Sequence, residues 1–334
     1  MSEVVYLLGA GASYGQRELD GAGKEIPGHI KRGLPVVNQL ESAIDWYCRY
    51  LHEGGALAPI KYPLIYNELK WLKEMCHSYP TIDTYAKQLT VTNNPLDLTR
   101  LKNALSTFFV LIQDHKKRDL RYDGFVASII RNDGALPNTI SILSWNYDYQ
   151  MEYVLRDFSE AKKELLQVWK EKGVACKGFD LPIDCSRFNC VKLNGTAMFS
   201  TKTENELIDP GYCDLERIEK CYKDDFLSWK SNISFAWERN DQFIDTVIPL
   251  VKDAKALVVI GYSFPYVNRT IDKKIIQNMS KLRTVYIQDT AAIDVKQSFE
   301  TLLSFDQQNY LQTDALKIYS RTSVNQFIIP NELT

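Results

Sequence analysis

The sequence predicts a Rossmann-like α/β fold, a mainly parallel, doubly wound sheet with a large helical insertion. Two observations predict it. Short apolar runs typical of buried strands alternate with stretches of helical periodicity, which is the pattern of parallel sheets. Each run also ends abruptly in polar residues or glycine. The runs are residues 4–8, 139–145, 190–193, 256–260 and 283–287.

The first run, VVYLL at 4–8, ends in GAGASYG, which is typical of a strand that gives way to a loop. The segment that follows, residues 15–35, contains five glycines and two prolines. This composition favours neither helix nor strand, so we expect a long, mobile loop there. Such a loop either closes over a ligand or is simply disordered.

Residues 36–130 carry apolar side chains at steps of three and four, as in LTRLKNALSTFFVLIQDH. This helical segment separates the first strand from the second. Further helical patterns cover 149–158, much of 214–252, and 269–279. The sequence therefore predicts one domain over 1–334, with a helical insertion at 36–130. We expect a C-terminal extension at 291–334, with one more helix and an edge strand around 326–329.

Composition argues against several classes of protein. The chain has 40 Lys and Arg against 42 Asp and Glu, so no direct nucleic-acid binding is expected. The first apolar run is too short to cross a membrane and follows no charged leader, so no membrane association is expected. The seven cysteines are odd in number and irregularly spaced, which argues against a disulfide framework and favours the cytoplasm.

A metal site is not expected either. Cys176, Cys185 and Cys190 come nearest to a ligand pattern, but their gaps do not match paired zinc knuckles.

The polar strand ends form the candidate site. In open α/β sheets, ligands bind beyond the carboxyl ends of the strands, near the point where the strand order reverses. We therefore expect the five strand ends to converge around one ligand. They are Gly9–Ser13, Asn146–Asp148, Asn194–Thr196, Gly261–Ser263 and Gln288–Asp289.

The first of these ends resembles a phosphate-binding turn, because glycines let backbone N–H groups approach an anion at a helix start. Tyr14 stands where a third glycine is expected in G-x-G-x-x-G, and no acidic residue ends a second strand about twenty residues on. Ordinary NAD-dependent dehydrogenases are thus disfavoured. A tight turn without ligand stays open, as does simple helix capping by Asp148.

Four segments, in this order and at these distances, together resemble the sirtuin-like superfamily. They are LLGAGASYG, SWNYDYQME, VKLNGT and VVIGYSF. The resemblance runs from residue 4 to about 290 and is closer to the bacterial anti-phage branch of NAD-consuming effectors. It implies NAD+ hydrolysis to nicotinamide and ADP-ribose in abortive infection. The four-cysteine zinc module of the deacylases is missing, so a zinc-dependent deacylase is not expected.

The resemblance also implies roles for individual residues. The first loop would hold the pyrophosphate through Ala10, Gly11, Ala12 and Ser13. Asn146 and Asp148 would line the nicotinamide-ribose pocket and act in catalysis. On the adenosine side, the cofactor-binding residues would be Gly261 and Ser263, with weaker support for Asp289.

One departure from the family concerns catalysis. The family usually has His-Gly after the third strand, where this chain has Asn194-Gly195. An asparagine cannot take a proton near neutral pH. Asn194 would instead hydrogen-bond a ribose hydroxyl. None of the four histidines lies at a strand end, and His29 in the 15–35 segment is the one that could reach the site.

Three functions remain open from the sequence. The first is an NAD+ hydrolase that requires activation, working as a homo-oligomer or with a co-encoded defence partner, without a metal. The second is a nucleotide or NAD sensor that has lost catalysis because of Asn194. The third is a scaffold subunit of a defence complex, for which the helical insertion offers surface.

Overall fold

The structure is a computed structural model that describes residues 2–52, 59–159, 164–176, 183–201, 207–210, 213–224, 229–238 and 241–333. Its centre is a parallel sheet of seven strands. They are β1 (Val4–Leu8), β4 (Ile140–Ser144), β5 (Val174–Cys176), β6 (Asn189–Lys192), β10 (Ala256–Ile260), β11 (Thr284–Gln288) and β12 (Lys317–Arg321). Their order in the sheet is β12-β11-β10-β1-β4-β6-β5. The predicted α/β class with a mainly parallel, doubly wound sheet is confirmed.

The central strands are buried on both faces. In β1, Val4, Tyr6 and Leu8 face one apolar layer, whereas Val5 and Leu7 face the other. A strand that is covered on both sides reads as a continuous apolar run, and this is why the five central strands were recognisable in the sequence.

The first layer is built by the helices of the insertion and two that follow β4. The insertion consists of α1 (Leu40–Leu51), α2 (Pro63–Ser78), α3 (Ile82–Val91), α4 (Pro95–His115) and α5 (Leu120–Ile129). After β4 come α6 (Gln150–Asp157) and α7 (Leu165–Lys172). The second layer contains α9 (Asp241–Val251), α10 (Arg269–Gln277) and α11 (Ala292–Glu300). The helices expected over 36–130 are thus present.

The expectation of a long, mobile loop at 15–35 is wrong. This segment forms a β-hairpin of β2 (Gln16–Leu19) and β3 (Glu25–Arg32). The Oδ1 atom of Asp20 accepts hydrogen bonds from the backbone N–H groups of Ala22 and Lys24, both at 2.9 Å, which closes the turn. The buried guanidinium of Arg17 then donates to the carbonyl oxygens of Tyr14, Arg32 and Leu34. The glycines therefore serve turns and close packing within ordered backbone.

Residues 195–233 add a small antiparallel sheet that the sequence did not predict. It contains β7 (Gly195–Thr201), β8 (Leu207–Ile208) and β9 (Trp229–Ile233), in the order β8-β7-β9. The helices expected over much of 214–252 are α8 (Leu215–Asp224) and α9, and the strand β9 lies between them.

The C-terminal extension also differs from the expectation. It holds α11 and a second helix, α12 (Phe305–Gln312), and its edge strand is β12. Residues 326–329 form no strand. Instead, the hydroxyl of Tyr6 donates to the carbonyl oxygen of Ile328 at 3.0 Å, and the Ile328 N–H donates to Oε1 of Gln288 at 3.2 Å. This apolar segment is an irregular strap over the first layer.

Candidate functional site at the carboxyl edge of the sheet

The order of the strands places the candidate site beside β1. The chain moves from β1 to β4 and β6 on one side, whereas β10, β11 and β12 lie on the other. The order in which the chain adds strands to the parallel sheet therefore reverses between β1 and β10. A crevice at the carboxyl ends of these two strands is the usual ligand site in open α/β sheets.

The loops after β1 and β10 touch through their backbones. The Gly11 N–H donates to the carbonyl oxygen of Gly261 at 2.9 Å. A Cβ atom on Gly261, whose φ is +59°, would lie 2.3 Å from the Ala12 nitrogen, and one on Gly9 would lie 2.5 Å from the Gly261 oxygen. These glycines allow the two loops to approach each other. In the structure these glycines therefore allow the loops to pack together, whereas the sequence predicted that they let backbone N–H groups approach an anion.

The helical insertion holds the first loop from the other side. Nη2 of Arg121, at the start of α5, donates to the carbonyl oxygens of Gly11 and Ala12, both at 3.1 Å. The hydroxyl groups of Ser13 and Tyr122 lie 2.9 Å apart. The Gly9–Ser13 loop is therefore fixed between the insertion and the loop after β10.

Asn146 fixes the end of β4 to the same loop. Its Nδ2 atom donates to the carbonyl oxygen of Gly9 at 2.8 Å and to Oγ of Ser13 at 3.2 Å. Because a carboxamide nitrogen has two hydrogens, both donors are used, and the side chain offers only its Oδ1 atom to a ligand. Asn146 is thus placed as a hydrogen-bond acceptor.

Asp148 and Asn194 lie at the ends of β4 and β6. Asp148 Oδ1 accepts the Gln150 N–H at 3.0 Å, but Asp148 comes one residue before the N-cap of α6, Tyr149, so this bond orders the turn into the helix and is not an N-cap. The Oδ1 atom of Asn194 is buried and has no hydrogen-bond partner among the described residues. A buried acceptor without a donor is costly, and a ligand donor would remove that cost.

A buried ion pair lies beneath these two residues. Lys192 Nζ donates to the carbonyl oxygen of Asp148 and lies 3.3 Å from Oε1 of Glu152. Both side chains are fully enclosed, and Lys192 precedes Asn194 by two residues. The pair fixes the ends of β4 and β6 relative to each other.

Two adjoining cavities open above the strand ends. The smaller one has a volume of about 180 Å³ and the larger cleft about 1710 Å³, and Ala10, Gly261 and Ser263 line both. The smaller cavity also contains Ser13, Asn146, Asp148 and Asn194. The larger cleft also contains Gly11 and Asp289. The structure thus brings all the sequence-predicted residues but Ala12, which is fully buried, to one continuous space.

His29 is not part of this space. It lies on β3, where its Nδ1 atom is 3.3 Å from Oε2 of Glu18, and it lines neither cavity. Of the described residues that line the smaller cavity, none is a histidine, a lysine or an arginine. Among the described lining residues, no positively charged side chain therefore faces the smaller cavity.

Asp83 is a further acidic residue of the site, and it lines both cavities from the first turn of α3. Burial raises its pKa to about 6, and its charge contributes, after burial itself, to the raised pKa of Tyr147. No sequence signal marks Asp83 as functional, because an acidic residue in a first helical turn is an ordinary stabilising feature.

Asp272, on α10, lies behind the wall of the smaller cavity. It accepts hydrogen bonds from Trp145 Nε1 at 3.2 Å and from the Tyr262 hydroxyl at 2.7 Å. Burial raises the pKa of Asp272 to about 8, although both hydrogen bonds oppose the shift. The Trp145 and Tyr262 rings stack at 6.0 Å and both line the smaller cavity. The signal in the sequence was an acidic residue on the apolar face of a predicted helix, beside Ile271 and Ile275.

The larger cleft contains charges of both signs. Arg32 lines it from the end of β3, and its guanidinium makes no hydrogen bond or ion pair within the part of the chain that the structure describes. Arg121 is engaged with Asp119 and backbone carbonyls. Arg32 is therefore the cation in this cleft that a bound phosphate could recruit.

Within the described ranges, no cluster of three or more His, Cys, Asp or Glu side chains is placed to hold a metal ion. None of the described helices combines the length and apolarity that crossing a bilayer needs.

No protein-family model matches this sequence, and no curated protein sequence matches it significantly.

Proposed function

We propose that the protein is an NAD+ glycohydrolase, which uses water to cleave NAD+ into nicotinamide and ADP-ribose. We further propose that it acts in the bacterial cytoplasm as an effector of anti-phage defence that depletes NAD+. An unrestrained enzyme of this kind would kill its own cell, so the proposal includes activation, by oligomer assembly or by a co-encoded partner. The resemblance of the strand-end motifs supports both parts.

The observation that carries the proposal is the distribution of charge between the two cavities. NAD+ is cationic at its nicotinamide ring and anionic at its pyrophosphate. The smaller cavity has the carboxyl groups of Asp83 and Asp148, the Oδ1 acceptors of Asn146 and Asn194, and no cation among its described lining residues. The larger cleft is lined by acidic side chains as well, Asp83 among them, but it also has the unpaired guanidinium of Arg32. Among the described lining residues, a cation that is free to bind phosphate is therefore present in the larger cleft and not in the smaller cavity, which is complementary to the charges of the dinucleotide.

The sizes of the cavities support the same orientation. Pockets that enclose drug-sized ligands typically have volumes of about 300–1,000 Å³. The smaller cavity, at about 180 Å³, has room for the nicotinamide end alone, and the open cleft of about 1710 Å³ takes the rest. The pyrophosphate would then cross the edge formed by Ala10, Gly261 and Ser263.

The chemistry follows from these positions. When the bond between nicotinamide and ribose breaks, nicotinamide leaves as a neutral molecule and positive charge develops on the sugar as an oxocarbenium ion. Asn146 and Asn194 would present carbonyl oxygens, and Asp148 a carboxylate, to that charge. Preorganised groups of this kind in a water-poor site lower the barrier of charge-forming steps. Asn146 would also accept a hydrogen bond from the carboxamide or from a ribose hydroxyl.

The test is direct quantification of products. Purified protein is incubated with NAD+, alone and with lysate from phage-infected cells, and nicotinamide and ADP-ribose are measured. We expect equal amounts of the two products, with release increased by the lysate. Asn146→Ala should abolish release in a protein with unchanged circular dichroism. Full activity in that variant would remove Asn146 from the mechanism.

A sensor that binds NAD+ without cleaving it is the second candidate, and Asn194 favours it. This side chain stands where the resembling family has its histidine, and the described lining of the smaller cavity contains no histidine. Saturable NAD+ binding without nicotinamide release, with and without the infected lysate, would establish the sensor and exclude the hydrolase.

A further inference from the structure

Hydrolysis needs a group that takes a proton from the attacking water. Asn194 cannot take it near neutral pH. Among the described residues that line the smaller cavity, the proton acceptors other than tyrosine are the carboxylates of Asp83 and Asp148. One comes from the helical insertion and the other from the end of β4.

The two carboxylates differ in what holds them. Asp148 Oδ1 accepts the Gln150 N–H in the turn before α6, and its carbonyl oxygen accepts from Lys192, which pairs with Glu152. The Asp83 carboxylate makes no hydrogen bond or ion pair with any other residue in the described ranges, and it lines both cavities. Asp83 is therefore the acid that is free to bind a water molecule where the cavities meet.

We propose that Asp83 is the catalytic base of the hydrolysis, supplied to the sheet edge by α3 of the helical insertion. This inference rests on the proposed function. A buried, unpartnered acceptor in the same cavity, Oδ1 of Asn194, supports it independently, because that atom would hold a ribose hydroxyl and so fix the sugar.

The bond between the ribose C1′ and the nicotinamide nitrogen breaks, and its electron pair leaves with nicotinamide. The water oxygen forms a bond to C1′, and one water proton moves to the Asp83 carboxylate. Asp83 then releases this proton to solvent. The products are nicotinamide, ADP-ribose and one proton, without any oxidation or reduction.

The titration of Asp83 suits this role. Burial raises its pKa to about 6, so near neutral pH it is ionised and is a stronger base than an ordinary aspartate. The titratable groups facing it are Tyr147 from the end of β4, Tyr262 from the end of β10, and Asp148. Burial holds the pKa of both tyrosines well above 10, so they stay neutral in this range. The larger cleft adds Glu25, Arg32, Asp119, Arg121 and Asp289.

The experiment measures nicotinamide release between pH 5 and 8, and NAD+ affinity by calorimetry, for the full-length protein and three variants. Wild-type turnover should rise through an apparent pKa of about 6 and then stay level. Asp83→Asn should lower turnover by roughly 10²–10⁴-fold and abolish this rise, with little change in affinity. Asp83→Glu should recover part of the turnover with its pH dependence.

The matched control is Asp294→Asn. Asp294 lies in the first turn of α11, as Asp83 does in α3, but it is exposed and lines neither cavity. It should behave as wild type. If wild type is active and Asp83→Asn keeps its turnover and pH profile, Asp83 is not the base and the proposed function stands. If wild type binds NAD+ and releases no nicotinamide under any condition, both the function and the base are overturned.

Discussion

Gly11 donates its backbone N–H to the carbonyl oxygen of Gly261, with 2.9 Å between nitrogen and oxygen. This bond joins the loop after β1 to the loop after β10, at the place where the order of strand addition reverses. The two loops behave as one rigid edge between the cavities. Any side chain on Gly261 would push them apart.

Gly261→Ala should therefore damage both stability and ligand binding. Its Cβ would meet the Ala12 nitrogen at 2.3 Å, and its φ of +59° is unfavourable for alanine. Backbone in such a region costs about 1–3 kcal/mol, before the steric clash is counted. Urea unfolding measures the loss. Gly21→Ala is the control, because a Cβ there meets nothing within 4 Å, and it should change stability by less than about 0.5 kcal/mol.

Arg32→Ala should weaken NAD+ binding and leave the chemical step unchanged. Hydrogen bonds to charged groups contribute about 1.5–3 kcal/mol, so KM should rise roughly tenfold or more while kcat stays the same. Lys31→Ala, next to it on β3 and exposed, is the matched control. An unchanged KM for Arg32→Ala, or an equal effect in both variants, would show that Arg32 does not bind the phosphates.

Asn194→His in the Asp83→Asn background tests whether the two positions face the same water. A histidine at position 194 could take the proton that Asp83 no longer accepts, since its pKa is near 6.5 in the absence of perturbation. We expect the double variant to recover turnover that Asp83→Asn loses, measured as nicotinamide release. If the double variant is slower than Asp83→Asn alone, position 194 does not correspond to the histidine of the resembling family.

Asp272→Asn should change how stability depends on pH. Folding raises the pKa of Asp272 from 3.8 to about 8, so between these values the folded protein binds a proton that the unfolded chain has lost. Protonation of Asp272 therefore contributes most to the free energy of unfolding at low pH, and this contribution is lost as the pH rises toward 8. An asparagine has no such titration. Its Oδ1 atom can still accept from Trp145 Nε1, and its Nδ2 atom would donate to the Tyr262 hydroxyl oxygen, where Asp272 accepts from that hydroxyl.

The measurement is urea unfolding from pH 5 to 8. The free energy of unfolding of Asp272→Asn relative to wild type should increase with pH, by at most about 1.4 kcal/mol per pH unit. A constant difference across this range would mean that Asp272 does not change protonation on unfolding.

The sequence was sufficient to predict the centre of the sheet. Strands such as VVYLL and ALVVI are buried on both faces, so their apolar character is continuous and local. The edge strand KIYSR is mostly exposed and carries no such signal. The β2–β3 hairpin is not predictable from composition, because its glycine content favours a loop, whereas Asp20 and Arg17 order this backbone through contacts that composition does not show.

The convergence of Ser13, Asn146, Asn194 and Ser263 was also predictable, because the carboxyl ends of parallel strands must meet at one edge. Asp83, Arg32 and Asp272 were not predictable in the same way. They come from a helix start, a hairpin and a helix of the opposite layer, and no local pattern fixes how these elements pack against the sheet. The sequence by itself determined which strand ends form the crevice. Only tertiary packing decided which side chains from outside the sheet complete it, because their positions depend on contacts between residues far apart in the chain.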